Sequence, residues 1–149
     1  MRAELLSPGS EGKGFSSGGS ASETRNVLFI EPGEKSGRWL LPDNDHVISE
    51  ITDITDEKNS STERVIATAA VIKSADSSED TVGRLVLYNS SGKTLVEVAN
   101  KVREVHLASY SDDELTILYE RNRRFVLAGF DPGSLARRKE LEIEVPLLK

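Results

Sequence analysis

Two histidines, one carboxylate-rich loop and a scatter of arginines are the residues of this chain whose types could do chemistry. His46 closes the run Asp43-Asn44-Asp45-His46, where carboxylate oxygens and an imidazole nitrogen could hold a divalent cation. The same residues make a good turn, because Asp and Asn bond their own backbone, and a turn is the simpler expectation. His106 stands between Val105 and Leu107 in an apolar run. Strand alternation places it opposite both, at a surface or an interface.

Other chemistries find little footing. Cysteine is absent, which removes disulfides, thiolate metal sites and thiol nucleophiles. Gly-x-Ser-x-Gly is absent and the serines fall in loops, so no Ser-His-Asp arrangement is read. With 25 Asp and Glu residues some pair always suits glycosidic chemistry, so no particular pair is singled out. Gly12-Lys13-Gly14 and Gly18-Gly19 have the composition of a phosphate loop but lack the strand before and the helix after. No metal, no cofactor and no catalytic group is expected.

Two features remain as ligand-binding candidates. Arg121, Arg123, Arg124, Arg137, Arg138 and Lys139 are expected to gather at one end of the last sheet. There they would receive an acidic partner or a phosphate group. The plainer alternative is a set of solvated turn residues balancing Glu120, Glu140, Glu142 and Glu144. Trp39, the only tryptophan, is expected as a core anchor more than as a ligand platform.

The elements that must position these residues read as strands. Residues 1–24 hold five Gly and six Ser, with almost nothing apolar after Leu6, and are expected to be a flexible tail, ordered only where it touches another element. Residues 25–149 form one domain. Strands are expected at 25–31, 37–41, 46–55, 64–73, 83–89, 94–98, 102–110, 114–120, 124–131 and 138–145, joined mostly by short polar turns. The segment 46–55 also fits a helical stripe through Val47, Ile48, Ile51 and Ile54, but its β-branched density favours a strand. Residues 114–120 and 125–130 are apolar on both faces, which predicts a sheet covered on both sides. The last strand alternates Leu141, Ile143 and Val145 with Glu140, Glu142 and Glu144, so it reads as peripheral with one wet face. The expected core is Val65, Ala67, Ala69, Val71, Leu85, Leu87, Val105, Leu107, Leu115, Ile117, Val126 and Ala128, with Phe125 and Phe130 nearby.

One hairpin signature recurs. Phe29-Ile30-Glu31-Pro32-Gly33, Leu87-Tyr88-Asn89-Ser90-Ser91-Gly92 and Gly129-Phe130-Asp131-Pro132-Gly133 each run from apolar to polar to turn chemistry. Asn89 and Asp131 are 42 residues apart, a spacing typical of propeller blades. Residues 102–145 resemble one blade of a bacterial β-propeller of the TolB-like or WD-repeat kind. Tyr110-Ser111-Asp112-Asp113-Glu114-Leu115 stands where that family has Ser-Pro-Asp-Gly-Lys before an apolar strand. Asp112 replaces its proline, Glu114 replaces its glycine, and no Trp-Asp dipeptide closes the blade. Thr24-Arg25-Asn26 with Gly37-Arg38-Trp39-Leu40-Leu41-Pro42 faintly resembles small, uncharacterised bacterial proteins that are often exported.

The resemblance implies an all-β fold of antiparallel meanders. Two to two-and-a-half propeller-like four-stranded sheets would pack together, as an incomplete propeller or a sandwich. It implies no activity. The net charge of −6 argues against nucleic acid and anionic membrane as partners. No apolar run is long enough for a membrane helix, so membrane insertion is not expected. A cytoplasmic location is expected, or an exported one if a leader precedes this sequence. The functional expectation is a non-catalytic module that meets a protein partner or a second copy of itself. A small-ligand or carbohydrate-binding module is the alternative, and a carboxylate-dependent hydrolase a lesser one.

Overall fold

The computed structural model of the chain describes residues 2–6, 24–30, 33, 36–56, 64–74 and 82–144. Among the described residues ten strands run in chain order: β1 (Arg2–Leu6), β2 (Thr24–Phe29), β3 (Arg38–Trp39), β4 (His46–Asp56), β5 (Arg64–Ser74), β6 (Gly83–Asn89), β7 (Leu95–Ser111), β8 (Glu114–Arg121), β9 (Arg124–Phe130) and β10 (Arg137–Glu144). All belong to one antiparallel sheet, ordered β1-β2-β4-β5-β6-β7-β8-β9-β10, with β3 also paired to β2. The fold is therefore all-β, as the sequence predicts. It is one continuous sheet where separate meanders packed together were expected. No helix among the described residues is long and apolar enough to cross a membrane.

The single sheet follows from β7. Residues 94–98 and 102–110 were expected as two strands, yet Leu95–Ser111 is one strand of 17 residues. Its first half pairs with β6 and its second with β8, and Val102 pairs with both Gly83 and Arg121. Lys101 at the junction has φ of 56°, a left-handed conformation costly for a side-chain-bearing residue. Register shifts on either side of the junction add residues to β7, and such bulges bend a strand and sharpen its twist. The sheet curls there until β7 meets β4. The Val105 N–H, displaced from the ladder, donates to Glu50 Oε2 at 3.2 Å.

The curled sheet encloses two cores. Ala67, Ala69 and Val71 of β5 and Leu85 and Leu87 of β6 pack with Leu115, Ile117, Tyr119, Val126, Ala128 and Phe130. On the opposite faces, Ala70, Ile72, Val86 and Tyr88 pack with Val27, Phe29, Leu41 and Ile48. Both faces of β5 and β6 are thus covered, which explains their unbroken apolar runs. Buried Asn26 ties the second core to its loop. Its Nδ2 donates to the Leu41 carbonyl at 3.1 Å and to Asn44 Oδ1 at 3.0 Å, and its Oδ1 accepts from Leu41 N–H at 2.9 Å. Gly92, with φ of 74°, brings the β6–β7 turn onto the Phe29 ring, and a Cβ there would lie 2.5 Å from a ring carbon.

The strand expected at 46–55 is a strand; the β-branched residues outweigh the helical stripe. Arg2–Leu6, expected within a flexible tail, pairs with β2, and it is the stretch of that tail without glycine or serine. The rest of that expectation lies outside the described residues. The expected core holds except on β7 and at its margins. Leu107 is 50% exposed, and Val65, Val105 and Phe125 are only partly buried. Expected double coverage of β8 and β9 is also corrected, because Leu118 and Leu127 on their outer face are only half-buried.

Two stability outcomes follow. Ile117→Ala opens the larger core and should cost roughly 2–5 kcal/mol in denaturant unfolding, while Leu107→Ala should cost less than about 1 kcal/mol. Glu50→Ala strands the Val105 N–H and should cost about 1–3 kcal/mol. A Glu50→Ala protein as stable as wild type would show that β7 needs no such partner.

Candidate interaction face

The outward side of the last four strands carries the most distinctive constellation of side chains. Strand register aligns Leu107 of β7, Leu118 of β8, Leu127 of β9 and Leu141 of β10 in one cross-strand row. Directly paired residues share a face, so these four leucines stand side by side outside the core. The next row is Glu104, Glu120, Phe125 and Ile143. Leu118 and Leu127, flanked on both sides, are half-buried, while Leu107 and Leu141 at the ends are 50% and 57% exposed and Ile143 is 43% exposed.

A bulge makes this row. Val105 pairs with Tyr119 and Leu107 pairs with Leu118, so His106 is the extra residue between them. Uninterrupted alternation would turn Leu107 inward with Val105. The inserted residue turns it outward instead, which is why its place in the expected core is wrong. His106 lies at the surface, as expected, but the same insertion puts it on the side of Leu107 and not opposite it. Its Nε2 lies 3.3 Å from Glu120 Oε1 and 4.0 Å from Glu104 Oε2, and its ring meets Phe125 edge-on at 5.0 Å. Glu104, His106 and Glu120 bring possible metal-ligand atoms within 4.8 Å of one another. Glu120 also lies 4.0 Å from Arg103 Nη1, so the group is bound up in surface ion pairs that flank the apolar row.

β10 closes the sheet, and among the described residues nothing pairs with its outer edge. It is peripheral, as its alternation predicts, but its two faces are exchanged. Glu140 and Glu142 pair with Ala128 and Val126 and so lie on the core side, while Leu141 and Ile143 face outward. The glutamates are held by arginines: Glu140 by Arg137 at 3.1 Å and Glu142 by Arg124 at 2.7 Å. The bond to Glu142, followed by its charge, raises the Arg124 pKa. Burial, reinforced by Glu140, raises the pKa of Tyr119.

The basic residues do not gather. Arg121, Arg123 and Arg124 lie at the β8–β9 turn. Arg137, Arg138 and Lys139 lie beside Phe130 at the far end of β9, roughly 20 Å away at about 3.4 Å per residue. Arg137 reaches the Val98 carbonyl and its guanidinium lies 5.6 Å from the Phe130 ring centre. Lys139 Nζ meets Glu114 Oε2 at 3.1 Å. Arg121 lines a cavity of about 210 Å³ with Asn122, Val126, Glu140 and Glu142, and Arg123 lines one of about 280 Å³ with Glu120. Carboxylates in both make neither a simple anion site. Trp39 is not a core anchor, being 51% exposed on the two-residue strand β3. Asp43 serves a turn, accepting from Asp45 N–H at 3.0 Å, and lies 3.2 Å from His46 Nδ1.

The β9–β10 connection fixes the approach of β10. Asp131 Oδ2 accepts from Ser134 N–H at 2.8 Å and Gly133 N–H at 3.0 Å, while Oδ1 accepts from Arg138. Leu135, buried with φ of 61°, anchors the loop to the core. Comparison with protein-family models, with curated proteins and with solved structures finds no match for the chain.

Sequence reasoning missed the leucine row because alternation alone cannot reveal a bulge. A signal was present in Leu118 and Leu127, each on the opposite parity to the core residues of its strand. The Asp131 cluster generates a pH prediction. Bonds to Ser134, then to Arg138 and Gly133, hold its pKa at about 2, below the ordinary 3.8. The folded value is the lower one, so its contribution to stability is present above about pH 4 and lost as pH falls through about 2. A carboxyl NMR titration should find Asp131 charged well below the usual Asp midpoint, and a normal midpoint would mean the loop does not hold it.

Proposed function

We propose that the chain is a non-catalytic interaction module, propeller-like in its repeated hairpins, that binds another protein through the outer side of its last four strands. The observation that carries this reading is the row Leu107–Leu118–Leu127–Leu141 ending at the unpaired edge of β10. Apolar rows with ion pairs along one flank are how proteins present a contact surface, because burial of the centre drives association and the rim sets orientation. The hairpins β6–β7 and β9–β10 recur along a single meander, which supports a repeat origin for the β-rich design.

The test uses the purified full chain as bait, followed by reconstitution with any captured protein. Leu107→Lys should weaken reconstituted binding by about tenfold or more, equivalent to about 1.4 kcal/mol, while leaving the unfolding midpoint nearly unchanged. A partner bound equally well by Leu107→Lys would place binding elsewhere and overturn the assignment of this face.

The exposed side chain of Trp39 favours a second reading, a small-ligand or carbohydrate-binding module with the indole as a stacking surface. As the only tryptophan, it reports any such contact directly by its emission. Under the interaction-module reading, emission stays constant across a panel of neutral sugars. A saturable shift would establish the second reading instead.

A further inference from the structure

We propose that the open edge at which this face ends pairs with a second copy of the same chain, β10 with β10 antiparallel about a two-fold axis through Leu141, which lengthens the contact face; the inference rests on the interaction-module reading. Three observations carry it. The first is the exposure pattern. Leucines with a neighbour on each side are half-buried, whereas Leu141 lacks one on its outer side and is 57% exposed. A second β10 supplies that neighbour, placing Leu141 against its own copy and Ile143 against the stem of Lys139. The row then runs unbroken through eight strands.

The second observation is charge order. β10 reads Arg137-Arg138-Lys139-Glu140-Leu141-Glu142-Ile143-Glu144, basic in its first half and acidic in its second. Antiparallel pairing about Leu141 sets the basic half of each copy toward the acidic half of the other, with Arg138 opposite Glu144. Parallel pairing would set like on like. The one like-charged juxtaposition is Glu140 with Glu142, and each already has its own arginine at 3.1 Å and 2.7 Å. Arg137 and Arg124 make that meeting a neutral quartet.

The third observation is the edge itself. On its side away from β9, the eight-residue strand Arg137–Glu144 has no paired strand among the described residues. A two-fold pairing satisfies both edges at once and closes, so it cannot propagate into a fibre as head-to-tail contact would. The core-side glutamates disfavour pairing with an arbitrary strand, because an incoming apolar residue would meet charge. Only a strand whose charges are already compensated escapes that penalty, and β10 arrives with Arg137 of its own and Arg124 of β9.

The chain has no cysteine, which permits a direct test. In the full-length protein, Leu141→Cys places one thiol opposite its own copy. Residues directly opposite in an antiparallel pair have Cα atoms about 4.5–5.5 Å apart, within disulfide reach. Mild oxidation should convert most of the Leu141→Cys protein to a covalent dimer, while Glu144→Cys, out of register with itself, should cross-link at least about tenfold more slowly. Sedimentation equilibrium should give twice the chain mass for wild type at high concentration, and the monomer mass for Leu141→Lys at the same concentration. Amide exchange across β8 should be unchanged in that variant, showing that it folds.

A dimer unaffected by Leu141→Lys, or cross-linking no faster at 141 than at 144, would overturn the proposal by placing the contact elsewhere. A wild-type monomer at every concentration would overturn it too. If such a monomer still binds a reconstituted partner that Leu107→Lys loses, the interaction-module reading stands and only self-pairing fails.

Discussion

A strand that serves two neighbours in succession must bend between them, and the bend of β7 is what the rest of this molecule depends on. Without it, Leu95–Ser111 would be a straight rod of roughly 55 Å at about 3.3 Å per residue, and the sheet would lie open. The bend places β8 and β9 over the inner faces of β5 and β6, creating the larger core. It also displaces main-chain groups from the ladder. A displaced, partly buried N–H is costly unless it is bonded, and the Glu50 carboxylate accepts the one at Val105. Glu50 therefore acts where two distant parts of one sheet meet, 55 residues apart in sequence.

Curling one sheet around two cores places demands on the strands between them. β5 and β6 must be apolar on both faces, and β5 must also be slim. Ala67, Ala69 and Ala70 meet both needs, letting large residues from either side approach closely. Tyr88 on one side packs edge-on against Phe29 with ring centres 5.6 Å apart, while Leu85 and Leu87 fill the other. The N-terminal strands cap one core and the C-terminal strands cap the other. Among the described residues the outward sides of the two caps are not alike. Trp39, paired with Leu28, lies near the first, whereas the second carries the aligned leucines.

Much of the β architecture is legible in the sequence because its signals are local. Turn chemistry at Ser90-Ser91-Gly92, Asp112-Asp113 and Asn122-Arg123 marks hairpins, and the left-handed φ values at Gly92, Asp112, Asp113, Asn122 and Arg123 show those residues turning the chain. The uniform apolar character of 64–73 marks a strand buried on both sides. Pairing across β7 is not legible, since its bend comes from inserted residues that no alternation rule signals. Each insertion exchanges the faces of everything beyond it. That exchange moved Leu107 from the expected core to the surface and brought His106 to the same side. The arginine grouping failed for a related reason: 121–124 and 137–139 are close in sequence, but an intervening strand and its return carry them to opposite ends of β9.

The last strand carries charge and apolar surface in an order that stability alone does not explain. An edge strand exposed on one side invites indiscriminate pairing, and charge turned toward the core is a known deterrent. Glu140 and Glu142 occupy that place, but each forms an ion pair with a residue of β9 or β10 itself, so the charge is tolerated without being removed. The apolar residues they displace, Leu141 and Ile143, go outward and extend the row begun on β7. Were β10 only a guarded edge, its outer side would be polar as well, because nothing in the core requires leucine or isoleucine there. Charged toward the core and apolar toward solvent is the reverse of what folding alone selects. That inversion is the physical reason to read the outer side as a surface shaped for contact.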